Sequence, residues 1–105
     1  MCDETIGRLL GRRLRQRRRL LDLTQRQVAD RCGLTFQLIH KYEAGLVHLS
    51  VARLLLLTDA LRIPVHEILE GLQALGDAED RLAVAPVAPI HYLREVASND
   101  HAISA

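Results

Sequence analysis

Residues 24–45 read TQRQVADRCGLTFQLIHKYEAG, and this stretch decides the fold. Thr24 and Thr35 each stand immediately before a run of helical character, where a threonine hydroxyl can cap the first turn. The first run has three apolar residues on one helical face: Val28, Ala29 and Cys32. Gly33 then supplies the residue type that adopts a left-handed, helix-ending conformation without strain. The pattern predicts two short helices joined by a tight turn.

The second of these helices has a polar arc opposite its apolar side. Its apolar side is formed by Ile39 and Tyr42. Four residues lie on the opposite side: Phe36, Gln37, His40 and Lys41. At about 100° per residue, these four span an arc of roughly 140° around the helix. A helix that shows such an arc beside a supporting helix has the shape that docks in a DNA major groove.

The order of residues along the chain resembles the Cro/C1-type (XRE-type) helix-turn-helix family of bacterial and phage transcriptional regulators. The resemblance runs from about Ile6 to Glu70 without a gap and depends on the ordered set rather than on any one residue. The matching residues are Gly11, Leu14, Arg18, Leu23, Thr24, Gln25, Val28, Ala29, Gly33, Leu34, Thr35, Ile39, Glu43, Gly45, Ser50, Leu54, Leu61, Ile63, Pro64, Glu67 and Ile68. The resemblance implies an all-α, compact five-helix bundle of the lambda repressor type that usually binds operator DNA as a dimer.

Length and charge fit one DNA-binding domain. The chain has 105 residues and a net charge of +1, but the charge is unevenly distributed. Up to His48, ten Lys/Arg oppose five Asp/Glu, whereas the remainder has four basic and eight acidic residues. Such asymmetry indicates a basic binding surface. Arginines interrupt every apolar run before the roughly 18 residues that a membrane span needs, and Asp3 and Glu4 are atypical of a secretory signal. We therefore expect a cytoplasmic protein without a membrane partner, associated with the nucleoid when it is bound to DNA.

Five helices are expected, followed by a tail. The first runs from about Glu4 to Leu21, and the fourth from about Val51, after the cap residue Ser50, to Leu61. Pro64 suits the first turn of a fifth helix that ends at Leu75, before Gly76. The DNA-binding domain is therefore placed at residues 4–75.

Residues 76–105 are expected to form a C-terminal tail. The segment GDAED predicts a solvated break, and AVAPVAP predicts extended chain because proline interrupts it twice. A short helix is possible at residues 90–97. The sequence leaves open whether this tail is flexible, crosses to a second subunit or binds another protein.

The polar arc supplies the residues expected to touch bases. A glutamine amide matches adenine N6 and N7, which suits Gln37, and a lysine donates to guanine O6 and N7, which suits Lys41. Phe36 fits apolar contact with a thymine methyl group, and His40 fits a base edge or a phosphate. The alternative for all four is an ordinary solvated helix surface.

A second set is expected to contact phosphates and to position the domain on DNA. Its members are Thr24, Gln25, Thr35, Arg15, Arg19 and His48. For Gln25 the role is implied by the resemblance, and for Arg8, Arg12 and Arg13 we favour a solvated face. Ala44, Val47 and His48 depart from the family pattern, since close relatives often have arginine or asparagine there.

The resemblance also implies a structural ion pair between Arg18 and Glu43, which ties the first helix to the end of the third. Bidentate guanidinium–carboxylate geometry suits such a partly buried contact.

Leucines in the fourth and fifth helices exceed what one amphipathic face needs. Residues 54–57 are four leucines in succession, and the fifth helix adds Leu72 and Leu75. The expected dimer-interface residues are Leu55, Leu56, Leu72 and Leu75. The alternative is a slightly apolar surface, because single exposed leucines are ordinary.

The sequence is compatible with three functions. The favoured one is an operator-binding repressor that acts as a homodimer on double-stranded DNA. The alternatives are an antitoxin-like regulator whose tail binds a partner protein and an interaction module that no longer binds DNA. An enzyme is not expected, and neither is a cofactor or a metal, because no histidine pairs with cysteine or carboxylate at ligand spacing and no glycine-rich phosphate loop occurs.

Overall fold

The computed structural model describes residues 2–84, and their regular structure is α-helical. Six helices follow one another: α1 (Asp3–Leu20), α2 (Gln25–Cys32), α3 (Phe36–Ala44), α4 (Val51–Ala60), α5 (Val65–Leu69) and α6 (Leu72–Val84). The expected all-α class is confirmed. The possible helix at residues 90–97 lies outside the described residues. None of the helices within residues 2–84 is long and apolar enough to cross a bilayer.

Helix α1 is the element against which α3, α5 and α6 pack. It buries Leu9, Leu10 and Leu14 along one side. The core is completed by apolar residues from every other helix: Val28, Ala29, Ile39, Tyr42, Leu54, Leu57, Leu61, Ile68 and Leu72. Because these residues come from both ends of the described chain, α1 orients the helix-turn-helix and the C-terminal helices together.

A glycine allows α1 and α3 to approach at backbone distance. A Cβ added to Gly11 would lie 2.4 Å from the carbonyl oxygen of Tyr42 and 2.6 Å from that of Glu43. No side chain fits at that separation, so position 11 requires glycine for space rather than for backbone freedom. The C-terminal turn of α3 is thereby held directly on α1.

Local capping bonds define the two short helices. The Thr24 hydroxyl accepts a hydrogen bond from the backbone N–H of Gln27 (3.0 Å), and the Gln27 side chain accepts one from the Thr24 N–H (2.8 Å), a reciprocal capping box. Gly33 ends α2 with φ +68°, and the N–H of Leu34 returns to the carbonyl of Ala29 at 2.9 Å. The turn predicted from the sequence is present.

The expected fifth helix is two helices, and its predicted end at Gly76 is wrong. Helix α5 stops at Leu69, and Gly71 takes a left-handed conformation with φ +71°. Helix α6 then continues through Gly76, which is buried inside it. A glycine costs a helix interior only about 1 kcal/mol relative to alanine, a cost that packing against α1 can offset.

The segment GDAED is part of α6 and not the solvated break expected from its composition. Ala78 is buried, and Asp80 accepts a hydrogen bond from the hydroxyl of Thr5 at 2.7 Å. Arg8 and Glu79 add a more exposed ion pair at 3.5 Å. Helix α6 therefore crosses the domain boundary predicted at residue 76 and packs on the first turns of α1.

Arg13 is buried, which corrects its assignment to a solvated face. Only 7% of the residue is exposed, and its Nη1 donates to the carbonyl of Ile68 at 2.9 Å and to that of Glu70. These carbonyls lie at the C-terminal end of α5, where backbone acceptors have no intrahelical partner. Arg13 thus fastens α1 to α5.

Two further arginines donate hydrogen bonds to backbone carbonyls at the end of α4, as Arg13 does at the end of α5. Arg17 donates through Nε to the carbonyl of Leu61 and through Nη2 to that of Arg62, both at 2.9 Å. Arg31 of α2 donates to the carbonyl of Ala60 at 3.1 Å. Part of the arginine-rich character of the chain is therefore structural.

Candidate nucleic-acid interface

Helix α3 divides into a buried side and an exposed side. Ile39, Tyr42 and Glu43 are buried. The four side chains expected to touch bases all lie on the exposed side: Phe36, Gln37, His40 and Lys41. The structure therefore brings together the residues of the predicted arc on one accessible surface.

The buried carboxylate of Glu43 joins four parts of the chain. Arg18 of α1 binds it in a bidentate manner, with Nε 2.7 Å from Oε2 and Nη2 3.0 Å from Oε1. The remaining terminal nitrogen of Arg18 donates to the carbonyl of Leu23, in the α1–α2 loop, at 2.8 Å. Gln25 of α2 donates its amide N–H to Glu43 Oε1 at 3.2 Å. One ion pair thus fixes α1, the following loop and α2 relative to α3.

Gln25 and Arg15 both lie at the edge of this ion pair. The Gln25 side chain is half-buried and oriented by Glu43, and Arg15 Nε is 3.9 Å from Glu43 Oε1 while half of its side chain is exposed. Their positions beside α3 are set by the same carboxylate that orients the helix.

An open groove lies between the C-terminal end of α1 and the first turns of α2 and α3. Its volume is about 800 Å³. Among its lining side chains are four arginines, Arg15, Arg18, Arg19 and Arg26, together with His40 and a single acid, Asp22. Because one wall is the start of α3, the groove extends the exposed arc with a surface that attracts anions.

One residue of this groove was not predicted from the sequence. Arg26, in the first turn of α2, places its guanidinium carbon 4.6 Å from the centre of the Phe36 ring. Both side chains are exposed, with Phe36 at 38%. The contact crosses from α2 to α3, so no spacing within either helix reveals it.

Comparison with known proteins gives the family. The helix-turn-helix family model matches residues 14–68, which is half of the chain. An uncharacterized transcriptional regulator in the ATPase CF(0) region of Rhodospirillum rubrum is 41% identical over 73 residues, 70% of this chain and 68% of that protein. The chain belongs to the helix-turn-helix family of transcriptional regulators.

Two other comparisons agree with this assignment. An uncharacterized HTH-type regulator of Sinorhizobium fredii is 32% identical over 87 residues, covering 79% of this chain but 61% of that protein. One from Sinorhizobium medicae is 37% identical over 68 residues, 65% of this chain and 48% of that protein. The chain thus spans about half to two thirds of the length of these relatives.

A solved structure supports the fold. The restriction-modification controller protein C.AhdI from Aeromonas hydrophila superposes with a TM-score of 0.57 and 31% sequence identity, over 58% of this chain and 92% of that one. Together, these similarities identify the protein as a DNA-binding regulator of the Cro/C1 (XRE) type, as the sequence predicted.

The two threonines of this regulator act as helix caps in the structure. Both are exposed, and the Thr35 hydroxyl accepts the N–H of Leu38 at 3.3 Å. Arg19 is exposed on the groove, and His48 is exposed in the α3–α4 loop, next to exposed Val47. Of the six residues expected to contact phosphates, Arg15, Arg19, Thr24 and Gln25 line the groove, whereas Thr35 and His48 lie outside its lining.

The four leucines expected at a dimer interface are not equivalent. Leu55 and Leu56 are exposed on α4. Leu72, by contrast, is only 5% exposed and belongs to the core, and Leu75 is half-buried against that core. The expectation that the last two are surplus surface leucines is wrong, because α6 turns them toward the protein's own interior.

Cys32 packs against the core as the sequence indicated. It is half-buried, its thiol is free, and burial raises the pKa of that thiol. A thiol with a raised pKa is a weak nucleophile at neutral pH, which agrees with a packing role.

Proposed function

We propose that this regulator is a sequence-specific repressor that binds operator DNA as a homodimer, with α3 in the major groove. The observation that carries the proposal is the two-sided character of α3. The side chains expected to contact bases, which we call its reading residues, are exposed. Its opposite side is fixed by the buried Glu43 ion pair and by the close approach of α1 to α3 at Gly11. A helix anchored in this way meets DNA as a rigid element, so its side chains enter the groove in a defined orientation.

We assign base recognition chiefly to Gln37 and Lys41. They are one helical turn apart on the exposed side of α3. A glutamine amide can pair with adenine N6 and N7, and the lysine ammonium can donate to guanine O6 and N7. His40 lines the groove beside them, where it can reach a base edge or a phosphate.

Phosphate contacts are assigned to the borders of α3. Arg15 and Arg19 come from α1, Thr24 and Gln25 from the start of α2, and Thr35 from the start of α3. His48 is assigned to the other border, in the α3–α4 loop. Such contacts fix the register of the domain on DNA without reading sequence.

We infer that two copies associate through the exposed side of α4. Val51 is 74% exposed and Leu55, one turn later, is 49% exposed, with Leu56 beside them. Val51 and Leu55 share one face of α4, and together with Leu56 they give this helix three exposed aliphatic side chains within two turns, which suits an interaction surface. This mode of association does not involve Leu72, which is part of the core, or Leu75, which packs against the core.

Selection of bound duplexes from a randomised library tests the function. We expect a two-fold symmetric consensus whose half-sites are about one helical turn apart, ~34 Å. Expression of a reporter gene whose promoter contains the selected site should fall when the protein is produced, because bound protein excludes other proteins from that site. An unenriched pool contradicts sequence-specific binding, an asymmetric consensus contradicts the homodimer, and a rising reporter signal contradicts repression.

Sedimentation of one charge variant and its control tests the dimer. Leu55→Glu should give a monomer that binds the selected duplex more weakly. Leu20→Glu is the matched control, since Leu20 is also exposed but lies on α1. An unchanged molecular mass for Leu55→Glu contradicts the assigned interface.

A further inference from the structure

The cation–π pair of Arg26 and Phe36 lies where the proposed complex places DNA. Arg26 is in the first turn of α2 and Phe36 begins α3, so the pair bridges the supporting helix and the reading helix. Both side chains line the groove that also includes Arg15, Arg19 and His40. The pair is thus part of the surface next to Gln37, and Arg26 adds a positive charge from α2 to that surface.

Charge in the groove is not shared equally among its arginines. The guanidinium of Arg18 is held by the buried Glu43, which offsets its charge. Arg15 also lies 3.9 Å from that carboxylate. Arg26 instead contacts the face of an uncharged ring. Because that ring carries no net charge and Arg26 is exposed, the positive charge of Arg26 is not offset by its ring partner.

The ring contact restrains the guanidinium of Arg26 without occupying its donors. A guanidinium has its N–H groups in a planar fork, and a neutral ring accepts none of the charge-assisted bonds that this fork can make. A phosphate can accept two parallel bonds from such a fork. Because the ring restrains Arg26 before binding, less side-chain freedom is lost when the contact forms.

We propose that Arg26 contacts a DNA backbone phosphate and that Phe36 is its positioning residue. The proposal rests on the proposed DNA-binding mode and adds to it a contact from α2. It assigns Phe36 a role different from the thymine-methyl contact predicted from the sequence, since one face of its ring supports the guanidinium. Phe36 then acts on affinity through Arg26 and not through a base.

A double-mutant cycle on the full chain tests this assignment. Arg26→Ala should weaken binding to the selected duplex by roughly tenfold at low salt, as expected for loss of one charge-assisted phosphate contact. The slope of log affinity against log salt should fall by about 1, equally on the selected duplex and on an unrelated duplex. Phe36→Leu should weaken binding by about 2- to 5-fold, as expected for loss of an exposed cation–π contact, whereas Phe36→Tyr retains affinity.

The two roles of Phe36 give different results in the double variant. If Phe36 acts through Arg26, Arg26→Ala/Phe36→Leu binds as Arg26→Ala does, and selection on Phe36→Leu returns the wild-type consensus. Independent losses that multiply, or a consensus changed at one base, overturn the positioning role and restore the thymine contact.

Controls separate this proposal from a general charge effect and from the proposed function. Arg81→Ala removes the same charge from an exposed site on α6, outside the groove, and should leave the affinity close to wild type. Equal affinities for Arg26→Ala and Arg81→Ala overturn the phosphate contact even where Lys41→Ala still alters the consensus. A selection that enriches no duplex, together with no binding of the wild-type protein to an unrelated duplex, overturns the DNA-binding mode and this contact together. Unchanged melting temperatures of the variants establish that the folded domain is being compared.

Discussion

The two ends of α3 are built in different ways. At the C-terminal end, Glu43 is buried in a bidentate ion pair with Arg18, and the backbone carbonyls of the last turn lie against Gly11. At the N-terminal end, Phe36 and Gln37 are exposed, and one hydroxyl cap from Thr35 holds the first turn. The same nine-residue helix therefore has an anchored end and an accessible end.

Because of this difference, the residues that stabilise the fold are not the residues expected to recognise DNA. Substitutions at the anchored end leave a buried charge or a steric clash, which are among the few mechanisms that destabilise a domain strongly. Substitutions at the accessible end remove groups that already face water, so their folding cost is small. The arrangement allows the reading residues to vary while the orientation of the helix stays the same.

Gly11→Ala should be the most damaging single change at the anchored end. The new methyl group meets two backbone carbonyl oxygens that cannot rotate away, so α1 and α3 must separate. We expect a loss of about 3 kcal/mol or more, at the upper end of overpacked cores. Thermal unfolding followed by circular dichroism measures it. Gly7→Ala is the control, since the nearest atom to its added Cβ is 4.0 Å away. Equal melting temperatures for the two variants would mean that the helices do not approach closely at Gly11.

Arg18→Ala should have the next largest effect on folding. It removes the principal partner of the buried Glu43, although Gln25 still donates to that carboxylate. We expect a loss of about 2–3 kcal/mol, below the full cost of an unpaired buried charge because of that remaining bond. Arg12→Ala, on the exposed side of the same helix, should change the free energy of unfolding by less than about 0.5 kcal/mol. The ion pair contributes nothing to stability if urea midpoints of the two variants coincide.

Lys41→Ala should give the opposite pattern to Gly11→Ala and Arg18→Ala, because Lys41 is on the exposed side of α3 although it is in the last turn. Lys41 is exposed, so its loss should leave the unfolding curve unchanged. Binding to the selected duplex should weaken by roughly 1–3 kcal/mol with an altered base preference, as expected for loss of a base-reading contact. Fluorescence anisotropy with the consensus and with single-base variants of it measures both quantities. A uniform loss on every duplex would reassign Lys41 from a base to a phosphate.

The helix-turn-helix itself was predictable because its determinants are local. Thr24, Thr35 and Gly33 each act within one turn of their own position, as caps or as a left-handed helix end. The Arg18–Glu43 pair was inferred from the resemblance, since nothing in their spacing requires a contact between residues 25 positions apart. The comparisons confirm the family, whereas the individual DNA contacts remain predictions.

The C-terminal helices were predicted less well because glycine is a weak signal. The sequence predicts a helix end at Gly76, but α5 ends at Leu69 and the left-handed residue that follows it is Gly71. Glycine ends a helix only when the chain must turn there, and that depends on whether the next segment packs elsewhere. Helix α6 packs on α1, and this tertiary contact outweighs the propensity of Gly76.

The arginine-rich segment of α1 shows a similar limit. Its arginines are chemically identical in the sequence, yet Arg13 and Arg17 point to carbonyls that end α5 and α4, while Arg19 faces the groove. Which arginine turns inward depends on where those helices end in space. Arg26 was missed for the same reason, since its aromatic partner belongs to another helix.

Thr35→Ala should have the smallest effect on folding and tests whether the accessible end depends on its cap. The Thr35 hydroxyl is 3.3 Å from the N–H of Leu38, a long bond, so we expect a stability loss of only about 0.5–1 kcal/mol, near the low end for capping residues. Thr35→Ser retains the hydroxyl and should restore both stability and DNA affinity. If the hydroxyl also contacts a phosphate, Thr35→Ala lowers affinity for selected and unrelated duplexes alike, by more than the change in stability explains. A stability loss as large as that of Arg18→Ala would show that both ends of α3 anchor the helix, and the division between anchored and accessible ends would then be wrong.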